Sequence, residues 1–193
     1  MSTPQALWST RALVLAQPLE IRPSRPDDTA AMAALYAACW REGLTTFEDR
    51  APSEAELAER REVAVGAGLP HLVAVTGSGT VVGYCWATPF RRLAAYRLAV
   101  EDSIYVHPEA RGLRVGRRLL ARLIEDCGAQ GLCPMIAVIG DRLNTASLAL
   151  HYSLGFAAVG VLPGVAFRPG AWVDTMILQK QLRRDPPPAG RLH

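Results

Sequence analysis

The pattern of apolar and polar positions predicts most of the elements before any chemistry is considered. Residues 19–21 read as a short strand. Met32, Leu35 and Cys39 recur near helical spacing, and Asp27 or Asp28 stands in front of them as a cap. A helix is therefore predicted through about Arg41. After Pro52, Ser53 followed by Glu56 forms a capping-box pattern, so a second helix is predicted to about Val65, ended by Gly66 and Gly68. The β-rich runs 71–75 and 81–87 are joined through Gly77, Ser78 and Gly79 and predict a hairpin. Next come a strand over 98–106, a helix over about 115–129, a buried strand over 135–139 and a short helix over 144–154. Closing strands are predicted at 156–161 and 172–181. The order β-α-α-β-β-β-α-β-α-β-β predicts one sheet with helices on both faces.

Outside this pattern lie two ends. Residues 1–18 show no clear period and contain Pro4 and Pro18, which predicts an N-terminal extension. Residues 183–193, RRDPPPAGRLH, read as a Pro-rich tail, leaving 19–182 as a single domain. With 193 residues, half of them hydrophobic and 20% charged, the chain can bury a sizeable core. The net charge of +3 is too small to argue for nucleic acid. Lys180 is the sole lysine, so the cationic side chains are almost all Arg forks suited to phosphates and carboxylates. Cys39, Cys85, Cys127 and Cys133 form no CxxC pair and no zinc spacing, so no metal is expected. Cys39 and Cys85 sit in apolar surroundings and predict buried free thiols and a cytoplasmic protein. The apolar run 12–16 is too short for a signal peptide, and no run is long enough to span a membrane.

The candidate chemistry centres on residues 101–116. A strand runs into the turn Arg111-Gly112-Leu113-Arg114-Val115-Gly116 and then into a helix. Such a turn aims backbone N–H groups at one spot beside the positive end of the helix dipole, and Arg111, Arg114, Arg117 and Arg118 add charge around it. An ordinary strand–helix turn with a solvated Arg face would read the same way. The turn is neither a Walker motif nor a three-glycine dinucleotide fingerprint. Glu101 and Asp102 are successive strand residues and point to opposite faces, so only one of them is expected to line a given site.

The turn resembles the R/Q-x-x-G-x-G/A signature of the GNAT acetyltransferase superfamily: Arg111 and Gly116 fit, and Arg114 stands in place of the first signature glycine. The segment from Asn144 to Phe156, NTASLALHYSLGF, is similar to the second GNAT signature. A narrower resemblance, over roughly 19–182, is to the phosphinothricin and methionine sulfoximine N-acetyltransferases. It is carried by Thr46-Phe47-Glu48, Tyr96-Arg97, Val100 to Val106, Ile136 to Gly140, Leu150-His151 and Gly170 to Asp174.

The resemblance implies an α+β GNAT fold: a central mixed, mostly antiparallel, splayed β-sheet with helices on both faces. It implies acetyl-CoA as co-substrate, without a metal. The pyrophosphate would lie on Arg111, Gly112, Leu113, Arg114, Val115, Gly116 and Arg117. The pantetheine would run along Ile104, Tyr105 and Val106 and face Asn144 and Ser147. Glu101 would be the general base; His151 takes the place of a tyrosine that protonates the CoA sulfur, and reads either as that acid or as a packed residue. Phe47, Arg91, Arg92 and Trp172 would surround the acceptor, with Arg91 or Arg92 clamping its carboxylate. Leu93 replaces a second clamp arginine of the family, and Pro169 and Ala171 replace an aromatic and an arginine. The implied activity is acetylation of a small amino-acid-like amine by a homodimer. Rival readings are an acetyltransferase for a polyamine, an aminoglycoside or a peptide N-terminus, and a CoA-binding module without catalysis. A nucleic-acid patch over 111–122 lacks interleaved aromatics and is followed by Glu125 and Asp126.

Overall fold

The computed structural model describes residues 9–42, 48–140, 144–168 and 170–182. Seven strands form one sheet: β1 (Leu19–Pro23), β2 (His71–Thr76), β3 (Val81–Pro89), β4 (Val100–Val106), β5 (Met135–Gly140), β6 (Ala157–Arg168) and β7 (Ala171–Lys180). Their order is β1-β2-β3-β4-β5-β7-β6. Every pairing is antiparallel except β4 with β5, which are joined by the crossover helix α4 (Val115–Ala129). The remaining helices are α1 (Thr10–Ala16), α2 (Thr29–Arg41), α3 (Glu54–Gly66) and α5 (Thr145–Ser153).

Alternation along the strands divides the core between the two faces of the sheet. On one face Leu72, Ala74, Cys85 and Val100 pack with Leu119, Leu120 and Leu123 of α4. On the other, Val73, Val75, Tyr84 and Trp86 pack with Met32, Leu35 and Tyr36 of α2 and Leu57 of α3. The parallel junction is short. β4 and β5 pair only at Val100–Met135, Glu101–Ile136 and Asp102–Ala137. Beyond Asp102, β4 stays with β3 as far as Val106, while β5 follows β7 to Gly140. The sheet is therefore split between its two central strands.

Three expectations change. The N-terminal extension carries α1, capped by Ser9 and packed through Val14 against the core. Asp28 does not cap α2 with its side chain: its carboxylate is held by Arg22 at 2.7 and 2.8 Å and by the Arg25 amide at 2.7 Å, because a 3-10 turn over Pro26–Asp28 leads into the helix. The first closing strand runs on to Arg168. It passes Pro163 and Gly164 through an irregular register between Leu162 and Ala166, which the outermost strand tolerates because it has no outer neighbour. The Ser53–Glu56 capping box forms as expected, as do the buried thiols of Cys39 and Cys85. No helix among the described residues is long and apolar enough to cross a membrane.

Candidate active site

A cavity of about 630 Å³ occupies the split. Its wall includes Glu101, Ile104, Tyr105, Val106, Arg111, Gly112, Arg114, Val115, Gly116, Arg117, Asn144, Ser147 and His151, so one space collects most of the residues singled out above. Asp102 also lines it. The expectation that Glu101 and Asp102 could not share a site is thus corrected: their side chains do leave opposite faces, but a cavity that passes between separated strands reaches both.

At one end stands the turn before α4. Gly112 has φ 76° and Arg114 φ 62°, ψ 10°, a left-handed conformation that glycine adopts freely and other residues adopt at a cost of about 1–2 kcal/mol. Arg114 therefore holds a backbone conformation that suits a glycine. It offers α4 no side-chain cap, so the first-turn N–H groups of the helix front the cavity without an intrahelical acceptor. These groups fit a pyrophosphate. The neighbouring arginines divide their work differently from expectation. Arg111 pairs with Glu42 and reaches Cys39 Sγ at 3.5 Å. Arg117 donates to the Ser153 carbonyl and hydroxyl at 2.9 and 2.7 Å, and Arg118 to the Leu19 carbonyl at 2.6 Å. The Arg114 carbonyl accepts from the Arg118 amide at 3.0 Å, and the Arg114 side chain has no hydrogen bond or ion pair among the described residues. Leu113 packs against the core instead of facing the cavity.

Along the α4 and α5 side, His151 is 2% exposed. Its Nε2 lies 3.0 Å from Asp102 Oδ2, and its Nδ1 lies 2.7 Å from the Ser147 carbonyl oxygen. A carbonyl can only accept, so Nδ1 carries a hydrogen, and the Nε2 contact needs a second proton shared with Asp102. Burial lowers the imidazole pKa, but the hydrogen bond and charge of Asp102, with the Ser147 carbonyl, outweigh it and raise the value above the ordinary one. Both ring nitrogens are engaged, which ties α5 to β4. Asn144 caps α5 through the Ser147 amide at 3.2 Å.

On the opposite face, burial and the charge of Asp102 raise the Glu101 pKa above 4.5, while Arg91 pulls it back down. Tyr105, Tyr84, Trp86 and His71 form a stacked row on this face, with centroids 5.4 to 6.3 Å apart. Trp86 and Tyr105 reach the cavity wall, as do Glu48 and Arg60, which are joined at 2.7 and 3.2 Å. Arg60 and Trp86 were not singled out by the sequence, because their meeting depends on the packing of α3 over the sheet. Arg91, Arg92 and Trp172 are exposed and do not form the cavity wall; Phe47 lies outside the described residues. No group of three or more His, Cys, Asp or Glu suited to a metal occurs among the described residues.

Comparison with known proteins agrees with this geometry. Residues 29–156 match the model of the acetyltransferase (GNAT) family. A phosphinothricin N-acetyltransferase of Alcaligenes faecalis is 43% identical over 162 residues, 84% of this chain and 82% of that protein. An L-methionine sulfoximine/L-methionine sulfone acetyltransferase of Salmonella typhimurium is 34% identical over 171 residues, 85% and 95% of the two chains. The crystal structure of a GNAT superfamily phosphinothricin acetyltransferase from Sinorhizobium meliloti, in complex with AcCoA, superposes with a TM-score of 0.80 at 40% identity, covering 84% of this chain and 88% of that one. The split sheet and the turn before α4 are those of an acetyltransferase, and the chain belongs to the GNAT family.

Proposed function

We propose that this chain transfers the acetyl group of acetyl-CoA to the amino group of a small amino-acid-like acceptor of the phosphinothricin or methionine sulfoximine kind. The observation that carries the reading is the continuity of one cavity from the α4 N-terminus, through the β4–β5 split, to the carboxylate of Glu101. Acetyl-CoA supplies the thioester. The first-turn N–H groups of α4 and the side chain of Arg114 take the pyrophosphate. Beyond Asp102, the edge of β4 that has left β5 offers backbone groups to the pantetheine amides and the thioester carbonyl. Glu101 accepts the proton of the acceptor's ammonium group, directly or through one water, and its raised pKa makes it a stronger base than an ordinary carboxylate. Asp102 and His151 hold α5 against β4 and so fix the wall carrying Asn144 and Ser147. Arg91, close enough to act on Glu101 electrostatically, favours an acceptor with an α-carboxylate over a polycation.

The protein is proposed to act as a homodimer in the cytoplasm. Val159, Val161, Val165, Phe167 and Trp172 leave the β6–β7 hairpin with an exposed apolar surface, and a second copy is the occupant such a surface fits. Free thiols at Cys39, Cys85, Cys127 and Cys133 suit a reducing compartment. The deciding experiment is acetyl-CoA turnover with phosphinothricin, methionine sulfoximine, methionine sulfone, common amino acids, spermidine and an aminoglycoside. Turnover is expected for the first three; activity confined to the last two overturns the reading.

A further inference from the structure

The acceptor has two polar ends to satisfy besides its amine, and among the described residues the cavity wall beyond the coenzyme turn presents a single arginine, Arg60. We propose that Arg60 receives the oxygen atoms at the far end of the acceptor's side chain. This rests on the reading above and adds what selects the substrate. Glu101 and Tyr105 lie on the same face of β4, four residues and so about 13 Å apart. Trp86 comes between them, opposite Ser103, and Arg60 stands at the Tyr105 end, where Tyr36 and Tyr105 act on it electrostatically. Glu101 and Arg60 line the same cavity, with Trp86 and Tyr105 between them on its wall. With the amine at Glu101 and the α-carboxylate towards Arg91, the aliphatic part lies on Trp86 and Tyr105 and the distal atom reaches Arg60.

The guanidinium already binds a group of this form. Its Nη1 and Nη2 donate to the two oxygens of Glu48, at 2.7 and 3.2 Å. A fork of two N–H donors matches any pair of oxygens on one atom, as in a phosphinate or a sulfone. Glu48 and Arg60 are each only partly buried, so the pair opens without exposing a sealed core. Glu48 is then a built-in competitor that holds the fork in place until an acceptor arrives.

Steady-state kinetics on the full chain test this with three acceptors: phosphinothricin and methionine sulfone, which carry two oxygens on the distal atom, and methionine, which carries none. Arg60→Gln is expected to raise KM for the first two about tenfold to a hundredfold. KM for methionine and for acetyl-CoA should stay within about twofold. Arg60→Lys, which keeps the charge and loses the fork, should fall between. Glu48→Gln should lower KM for phosphinothricin, opposite in sign to Arg60→Gln. A loss shared equally by all three acceptors, or impairment by both substitutions alike, makes the pair a purely structural clasp and overturns the proposal; a thermal shift with acetyl-CoA confirms that each variant is folded. Wild-type protein that acetylates none of the three overturns the function reading itself, whereas normal wild-type turnover with an insensitive Arg60→Gln overturns this inference alone.

Discussion

Asp102 Oδ2 and His151 Nε2 lie 3.0 Å apart in the floor of the cavity, both buried, on the face of β4 opposite Glu101. Asp102 raises the folded-state pKa of His151, so this interaction stabilises the fold below the ordinary histidine pKa and is lost as pH rises through the higher folded value. Asp102→Asn removes the charge partner of a buried imidazole, at a cost of about 3 kcal/mol near pH 6. The sign of the dependence should also reverse. Without Asp102, burial lowers the His151 pKa, and the contribution is lost on acidification. Urea unfolding between pH 5 and 9 reads both effects; an unaltered pH dependence would show that Asp102 does not govern the His151 titration.

The ionisation of Glu101, the proposed base, should set turnover at low pH. Burial and Asp102 raise its pKa above 4.5, so the acid limb of kcat/KM should lie above the ordinary glutamate value. Arg91 opposes that shift, and Arg91→Ala should move the limb further up. Glu101→Gln should lower kcat about 10²- to 10⁴-fold and leave acetyl-CoA affinity within about twofold. Wild-type turnover in that variant would remove the base assignment.

What was legible in the sequence was local. Ser53 and Glu56 announce a helix start because both partners of the box sit within one turn. The bounds of α4 follow from the turn at Gly112 and Arg114 and a buried stripe that runs through Leu119, Leu120 and Leu123 to Cys127. Seven residues of α1 are too few to show a period, and the Pro163–Gly164 step reads as the end of a strand that the sheet edge in fact carries onward. The shared cavity of Glu101 and Asp102 could not be read, because strand alternation is a local rule and the split is a property of how β4 and β5 part. For the same reason Arg60, which a separate helix brings to the wall, has no local signal in the sequence, whereas Arg91 and Arg92 stand beside a motif and lie off the wall.

Arg114 separates backbone strain from ligand binding. Arg114→Gly relieves a left-handed residue and should stabilise the fold by about 0.5–1 kcal/mol, seen as a higher urea midpoint. It also deletes a cation on the cavity wall beside the proposed pyrophosphate site, so KM for acetyl-CoA should rise several-fold. Arg114→Ala should show the same rise in KM with no gain in stability. A gain in both variants would mean that repulsion among the arginines, rather than φ, is the source of strain.

Trp172 is 68% exposed and meets Phe167 edge to face at 5.2 Å. Trp172→Glu puts a charge into the apolar surface of the β6–β7 hairpin without disturbing the core. Sedimentation should show a dimer for the unmodified chain and a monomer for this variant at micromolar concentration. A monomer in both cases would refute the self-association of this face.

His71 makes a separate prediction at acid pH. It lies at one end of the aromatic row, stacked on Trp86 at 5.6 Å, with Nδ1 buried and without a hydrogen-bond partner among the described residues. Burial, helped by the charge of Arg61 and opposed by Asp28, lowers its pKa to about 4. A histidine depressed in the fold binds its proton more readily when unfolded, so its contribution is intact above about pH 6.5 and is lost as pH falls towards 4. At pH 5 the loss is about 2 kcal/mol, taking the ordinary histidine value for the unfolded chain. His71→Phe keeps a flat ring against Trp86 and has nothing to protonate. Urea unfolding at pH 7 and pH 5 should therefore show a smaller acid loss in the variant, by about that amount. An identical loss in both proteins would place the acid sensitivity elsewhere in the fold.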